Sequence, residues 1–112
     1  MTGRTGKHRR LVLALATLAL APAAAAQDAA KEQAAIKAGE AVYNNYCQTC
    51  HGDRLVSTGQ TFDLRRLSAG DRARFENSVR NGKNQMPPWK DVLSEEELGQ
   101  LWAYVRANAY RE

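Results

Sequence analysis

Cys47-Gln48-Thr49-Cys50-His51 is the stretch that decides how this 112-residue chain is read. A Cys-x-x-Cys-His run is the covalent attachment pattern of a c-type haem. On a helical turn, side chains three and four apart share one face, so Cys47, Cys50 and His51 converge on a single patch. Two thiols there can each form a thioether to a haem vinyl group while the imidazole reaches the iron. Two other chemistries use parts of the pattern. A thioredoxin-like redox pair shares Cys-x-x-Cys but expects a βαβ setting, and no strand pattern frames the motif. A structural zinc site needs four ligands, whereas Cys47, Cys50 and His51 are the only cysteines and histidine beyond residue 26.

Working outward toward the C-terminus, the next stretch with chemistry is residues 81–89. Met86 is the only methionine beyond Met1, and its thioether is a soft ligand suited to haem iron opposite a histidine. Pro87 restricts Met86 to extended backbone and Pro88 restricts Pro87 in the same way, so the sulfur sits on a stiff loop. Core filling is the competing role for a lone methionine in a small domain. Asn84, Gln85 and Trp89 read as loop structure or packing, within reach of a haem or its propionates.

Around these two stretches the periodicity is helical. Residues 27–35 are Ala-rich and polar, the frayed start of a first helix that is expected from about Ala29 or Ala34 up to the motif. Ile36, Val42, Tyr43 and Tyr46 give its apolar side, with both tyrosines read as core. Gly39 costs such a helix about 1 kcal/mol relative to alanine, which points to close approach by another backbone or a bulky ring. A second helix is expected over residues 68–81, capped by Ser68 or Asp71, with Phe75 and Val79 on one face and Gly82 as its stop. Its arginines, Arg72, Arg74 and Arg80, read as a solvated face from which one could meet a propionate. Ser94-Glu95-Glu96-Glu97 is a capping box with an acidic first turn. It opens a last helix whose buried stripe is Leu98, Leu101, Trp102 and Val105, with Tyr104 at the margin. No segment alternates and nothing repeats, so the class is all-α.

The N-terminus has the make-up of a secretory signal over residues 1–26. Arg4, Lys7, Arg9 and Arg10 form a basic n-region, residues 11–20 an apolar run broken only by Thr17, and Ala24-Ala25-Ala26 a small-residue cleavage site. The run is shorter than the ~20 residues of a spanning helix, so cleavage is expected and stable membrane insertion is not. A single small domain, residues 27–112, remains. The whole chain carries 16 basic and 12 acidic residues, but the four basic residues of the n-region account for that excess. The domain itself balances, which removes the main support for nucleic acid as a partner. Its charge is unevenly placed: eight basic and four acidic residues fall between Asp53 and Lys90, and the reverse elsewhere. A dipole of that sense would favour an acidic partner surface.

Taken together, Gly39-x-x-x-Tyr43, residues 47–52, Asn81-Gly82 ahead of Met86-Pro87, and the helix ending near Val105 make the chain resemble a small bacterial class I cytochrome c over residues 39–105. The resemblance implies an all-α class I cytochrome c fold, three to five short helices wrapped around one covalently attached haem, with first and last helices crossing near Gly39. It implies haem c bound through Cys47 and Cys50, with His51 and Met86 as the iron ligands. Haem attachment in such proteins follows translocation, which implies Sec-type export to the periplasm. Two axial protein ligands leave no position for oxygen or substrate, so the implied function is a soluble one-electron carrier and not an enzyme. An alternative is a dedicated haem electron-transfer subunit of an oxidoreductase complex such as a quinoprotein (alcohol) dehydrogenase, suggested by the Met-Pro-Pro-Trp loop. Implied partners are a redox protein donor and acceptor, among them a quinoprotein dehydrogenase and a terminal oxidase. The chain departs from the family in having no proline between His51 and Met86. Relatives use a proline carbonyl there to accept a hydrogen bond from the haem histidine. Another carbonyl near residues 59–62 is expected to replace it.

Overall fold

A computed structural model of the chain describes residues 1–3, 6, 11–17 and 21–111. Four helices follow one another, α1 (Ala21–Tyr46), α2 (Gln48–His51), α3 (Arg72–Asn81) and α4 (Glu95–Ala107), with 3-10 turns at Asp53–Leu55, Leu64–Arg66 and Ala69–Asp71. The described residues contain no β-strand; one isolated bridge joins Lys83 and Met86. The all-α expectation holds, and with it goes the βαβ setting that a thioredoxin-like pair would need.

The first helix begins earlier than Ala29 or Ala34. Pro22 sits in its first turn, where a missing N–H costs nothing, and Ala23 to Ala26 are the strongest helix formers. Propensity alone supports this extension, because residues 22–34 are exposed. The expected cleavage position after Ala26 therefore lies inside α1. The basic n-region residues Arg4, Lys7, Arg9 and Arg10 lie outside the described residues, as do residues 18–20. Leu11, Val12, Leu13 and Leu15 are exposed and in no regular element. Among the described residues no helix is long and apolar enough to cross a membrane.

Tertiary packing starts where α1 crosses α4, and Gly39 is the reason they can approach. A Cβ at Gly39 would fall on the Gln100 carbonyl oxygen and lie 2.9 Å from Tyr104 Cβ. The close backbone approach expected at this glycine is therefore made by α4. Tyr43 and Tyr104 pack beside the crossing with ring centroids 5.4 Å apart and planes tilted by 49°. Tyr104 is core and not marginal, 4 % exposed, because it occupies the space that Gly39 leaves open. Leu98, Leu101, Trp102 and Val105 form the buried stripe as expected, and Phe75 of α3 meets Trp102 at 5.1 Å. Each such buried side chain contributes about 1.5–3 kcal/mol.

Local signals set the remaining boundaries. Ser68 and Asp71 cap together: the Asp71 carboxylate accepts from Ser68 N–H at 2.8 Å and from its hydroxyl at 3.0 Å. Residues 69–71 form a 3-10 turn, and α3 proper starts at Arg72. At α4 the capping box closes in both directions, Glu97 N–H to Ser94 Oγ at 3.1 Å and Ser94 N–H to Glu97 Oε2 at 2.8 Å. The chain's end is fastened to the 63–67 segment, with Tyr110 N–H donating to Arg65 O at 2.8 Å, Tyr110 Oη–H to Asp63 at 3.0 Å, and Arg106 to Leu67 O at 2.5 Å.

Candidate functional site

The end of α1, the short α2, the 60–67 segment, α3 and the 83–89 loop enclose a cavity of about 850 Å³. That is within the usual range for a cofactor pocket, ~300–1,000 Å³. Cys47, Cys50, His51 and Met86 all line it, so one space receives both expected attachment cysteines and both expected ligands. Its apolar wall comes from Leu64, Leu67, Phe75, Val79, Leu101 and Val105.

The motif is placed by backbone. Cys50 N–H and His51 N–H both donate to Cys47 O, at 3.2 and 3.0 Å, which winds the single turn of α2. Tyr43 is fully buried, and its hydroxyl donates to Gly52 O at 2.5 Å, fastening the far end of that turn to α1. Burial pushes the Tyr43 hydroxyl up to about 12. Neither cysteine is in a disulfide. Burial, aided by Cys50, pushes the Cys47 thiol up to about 11. A catalytic redox thiol is held well below its ordinary value, so Cys47 has the wrong character for thioredoxin-like exchange. Among the described residues, no three His, Cys, Asp or Glu side chains gather to hold a metal ion.

His51 has partners on one ring nitrogen only. Its Nδ1 lies 3.3 Å from Phe62 O and 3.1 Å from Thr61 Oγ1. Phe62 thus offers this nitrogen a carbonyl, inside the expected 59–62 window. Burial holds His51 below the ordinary imidazole range, against the opposing Phe62 carbonyl, so the ring favours the neutral form a metal ligand must have.

The methionine loop is built by turn chemistry. Gly82 stops α3 at φ 74°, ψ 168°, and a Cβ there would lie 2.6 Å from Met86 O. Lys83 and Met86 exchange backbone hydrogen bonds at 3.0 and 2.9 Å around Asn84, which takes a left-handed φ of 54°. Beyond the two prolines, Trp89 N–H returns to Val79 O at 2.8 Å and locks the loop to α3. Trp89 also packs against Tyr46, ring centroids 5.5 Å apart and tilted by 52°, joining the methionine loop to the end of α1.

Several side chains fall in places sequence reasoning did not give them. Tyr46 lines the cavity and is 42 % exposed, where a core role was expected, because it lies at the end of α1 beyond the α4 crossing. Trp89, Asn84 and Gln85 line the cavity as well. Of the three arginines on α3, only Arg74 does. Arg72 pairs with Glu76 at 2.8 Å, and Arg80 bridges Glu76 at 3.4 Å and Glu95 at 2.5 Å. The Arg80–Glu95 pair joins the basic middle to an acidic flank, so the charge separation is smaller than the sequence count suggests. Thr61 was missed as a partner of His51: a hydroxyl in this loop was visible, but not that the loop folds back onto the ring.

Comparison with known proteins agrees with the site. Residues 34–105 match the family described as cytochrome c oxidase, cbb3-type, subunit III. A cytochrome c6 of Rippkaea orientalis is 33 % identical over 88 % of this chain and 87 % of its own length. One from Euglena gracilis is 36 % identical over 63 % of this chain and 90 % of its own. A quinohemoprotein alcohol dehydrogenase, ADH IIB of Pseudomonas putida, is 36 % identical over 75 % of this chain, which spans only 12 % of that enzyme's length. No solved structure matches. The relatives matched over most of their length are small electron carriers, and the haem they share is the covalent haem c for which Cys47 and Cys50 have the spacing. By sequence and by the cavity its four helices enclose, this chain belongs to the monohaem cytochrome c family.

Proposed function

We propose that the chain is a periplasmic one-electron carrier whose haem c is tethered by Cys47 and Cys50 and ligated by His51 and Met86. The observation that carries this reading is the convergence of those four side chains, from two separate segments, on one cavity. The donor set fits the group: two thiols for thioethers, a neutral imidazole and a soft thioether, within an apolar wall. When bound, the haem supplies a ferrous/ferric couple. The chain's own residues do the rest. His51 turns Nδ1 to the Phe62 carbonyl and so leaves Nε2 for the iron. Met86, fixed by Gly82, the Lys83–Met86 turn and two prolines, offers sulfur without needing to reorganise. With His51 and Met86 both holding the iron, the site would exclude small ligands, and the apolar wall would disfavour the extra charge of the ferric state. Arg74 and Lys83 at the cavity leave a basic rim for an acidic redox partner.

Export is supported by the exposed apolar side chains Leu11, Val12, Leu13 and Leu15, which no part of the domain covers. The single domain is then residues 27–112, released by cleavage after Ala26. A second reading, a haem subunit serving a quinoprotein dehydrogenase, is favoured by the match to two quinohemoprotein alcohol dehydrogenases, the chain spanning 12 % and 11 % of their lengths. Co-purification of a large subunit from the native source distinguishes the two. The test of the carrier reading is carbon monoxide added to the reduced holoprotein at neutral pH. The expected result is an unchanged spectrum, and a carbonyl spectrum would mean an open axial site.

A further inference from the structure

We propose that Thr61 is a positioning residue for His51: its hydroxyl is a second acceptor for the ring Nδ1–H and thereby lowers the reduction potential of the haem. The inference rests on the His51 ligation proposed above.

The geometry around the ring fixes every proton. Thr61 Oγ1 lies 3.1 Å from Cys50 O and 3.1 Å from His51 Nδ1. A hydroxyl has one proton and two lone pairs. The Cys50 carbonyl can only accept, so the Thr61 proton goes there, leaving a lone pair facing His51. The Phe62 carbonyl, 3.3 Å from the same Nδ1, can also only accept. Both neighbours therefore require Nδ1 to carry the proton, and Nε2 is left bare. Were the ring in the other tautomer, Nδ1 and Phe62 O would be two acceptors facing each other. Thr61 also ties the ring to the motif itself, because its other partner is the carbonyl of Cys50, the neighbour of His51 in sequence.

The loop that delivers Thr61 is internally held. Ser57 Oγ accepts from Gly59 N–H at 3.2 Å and donates to Thr61 O at 3.5 Å. The Arg74 guanidinium stacks over the Phe62 ring at 5.1 Å and fixes the next residue. Two shared acceptors draw the Nδ1 proton outward more than one does, which makes the imidazole a stronger donor through Nε2. A stronger donor favours ferric over ferrous iron. Thr61 thus works against the potential-raising effect of Met86, and the Phe62 carbonyl alone would leave the potential higher.

The test uses the holoprotein with Thr61→Val, which keeps the shape and removes the hydroxyl, and with Thr61→Ser, which keeps the hydroxyl. Optical redox titration should show the ferric/ferrous equilibrium of Thr61→Val shifted about threefold toward ferrous, the scale of one shared hydrogen bond. At ~59 mV per tenfold for one electron, that is a rise of about 28 mV. Thr61→Ser should remain near the wild-type value. In the reduced protein, the ring Nδ1–H of Thr61→Val should exchange with deuterium faster than in the wild type by proton NMR. An unshifted potential in Thr61→Val with a wild-type spectrum overturns the inference and leaves the ligation reading standing. Equal shifts in the two variants also overturn it, since they would report packing and not the hydroxyl. A wild-type spectrum without histidine-ligated low-spin iron overturns the ligation reading, and the inference with it.

Discussion

The two sides of the cavity hold their proposed iron ligands by different physics. On the histidine side, a one-turn helix aims the ring, and hydrogen bonds from outside the motif, Phe62 O and Thr61 Oγ1, fix its tautomer and rotation. On the methionine side there is no polar partner to use, because a thioether is at most a weak acceptor. Position there comes from backbone: a glycine at positive φ, a two-bond turn, two prolines, and the return of Trp89 to Val79. Histidine ligation should therefore yield to changes in side-chain polarity, and methionine ligation to changes in backbone shape.

The largest disturbance removes what both sides share. Cys47→Ala with Cys50→Ala should give a poorly folded apoprotein, because a domain this small buries a modest core and relies on its tethered group. Circular dichroism should lose most of its helical signal. Native-like helicity with cooperative melting in the absence of haem would refute the dependence. The next disturbance separates the sides. Gly82 has a backbone conformation that costs a residue with a Cβ about 1–3 kcal/mol, and the new carbon would press on Met86 O. Gly82→Ala should therefore weaken methionine ligation while the covalent haem and its histidine stay in place. The check is partial loss of the weak red-end band of the ferric spectrum; stability loss with that band at full strength would mean the loop adjusts independently of the sulfur. The smallest effect should come from Ser94→Ala, which removes the hydroxyl half of a capping box distant from both ligands. It should cost about 1 kcal/mol, or roughly 4–8 °C in Tm for a domain of this size, with potential and spectrum unchanged. A shifted potential would show that α4 is coupled to the site more tightly than this account allows.

What the sequence made legible, and what it left out, follows the same division. Local chemistry could be read directly: the 47–51 turn, the Ser94 box, Gly82 as a stop, and Gly39 as a crossing point all depend on residue type at fixed spacing. The start of α1 was misjudged because residues 22–34 stay exposed, so alanine propensity set the boundary and not burial. Tyr104 was placed at the margin since periodicity cannot show that Gly39 opens a hole for it. The Thr61–His51 contact depends on how a loop folds back ten residues later, which no local pattern encodes. Arg74, paired with Asp71 at 3.9 Å much as Arg72 and Arg80 are paired with Glu76, was indistinguishable from them until the fold showed which of the three lines the cavity.

The central claim is that His51 and Met86 together close the iron, and it is tested most directly at the methionine. Optical spectra of ferric holoprotein should be recorded through a redox titration, for the wild type and for Met86→Ala. The wild type should show the weak red-end band of methionine bound to ferric iron. Met86→Ala should keep its covalent haem, lose that band, and bind carbon monoxide when reduced. A wild-type band that survives the substitution, or a variant that still excludes carbon monoxide, would contradict the account.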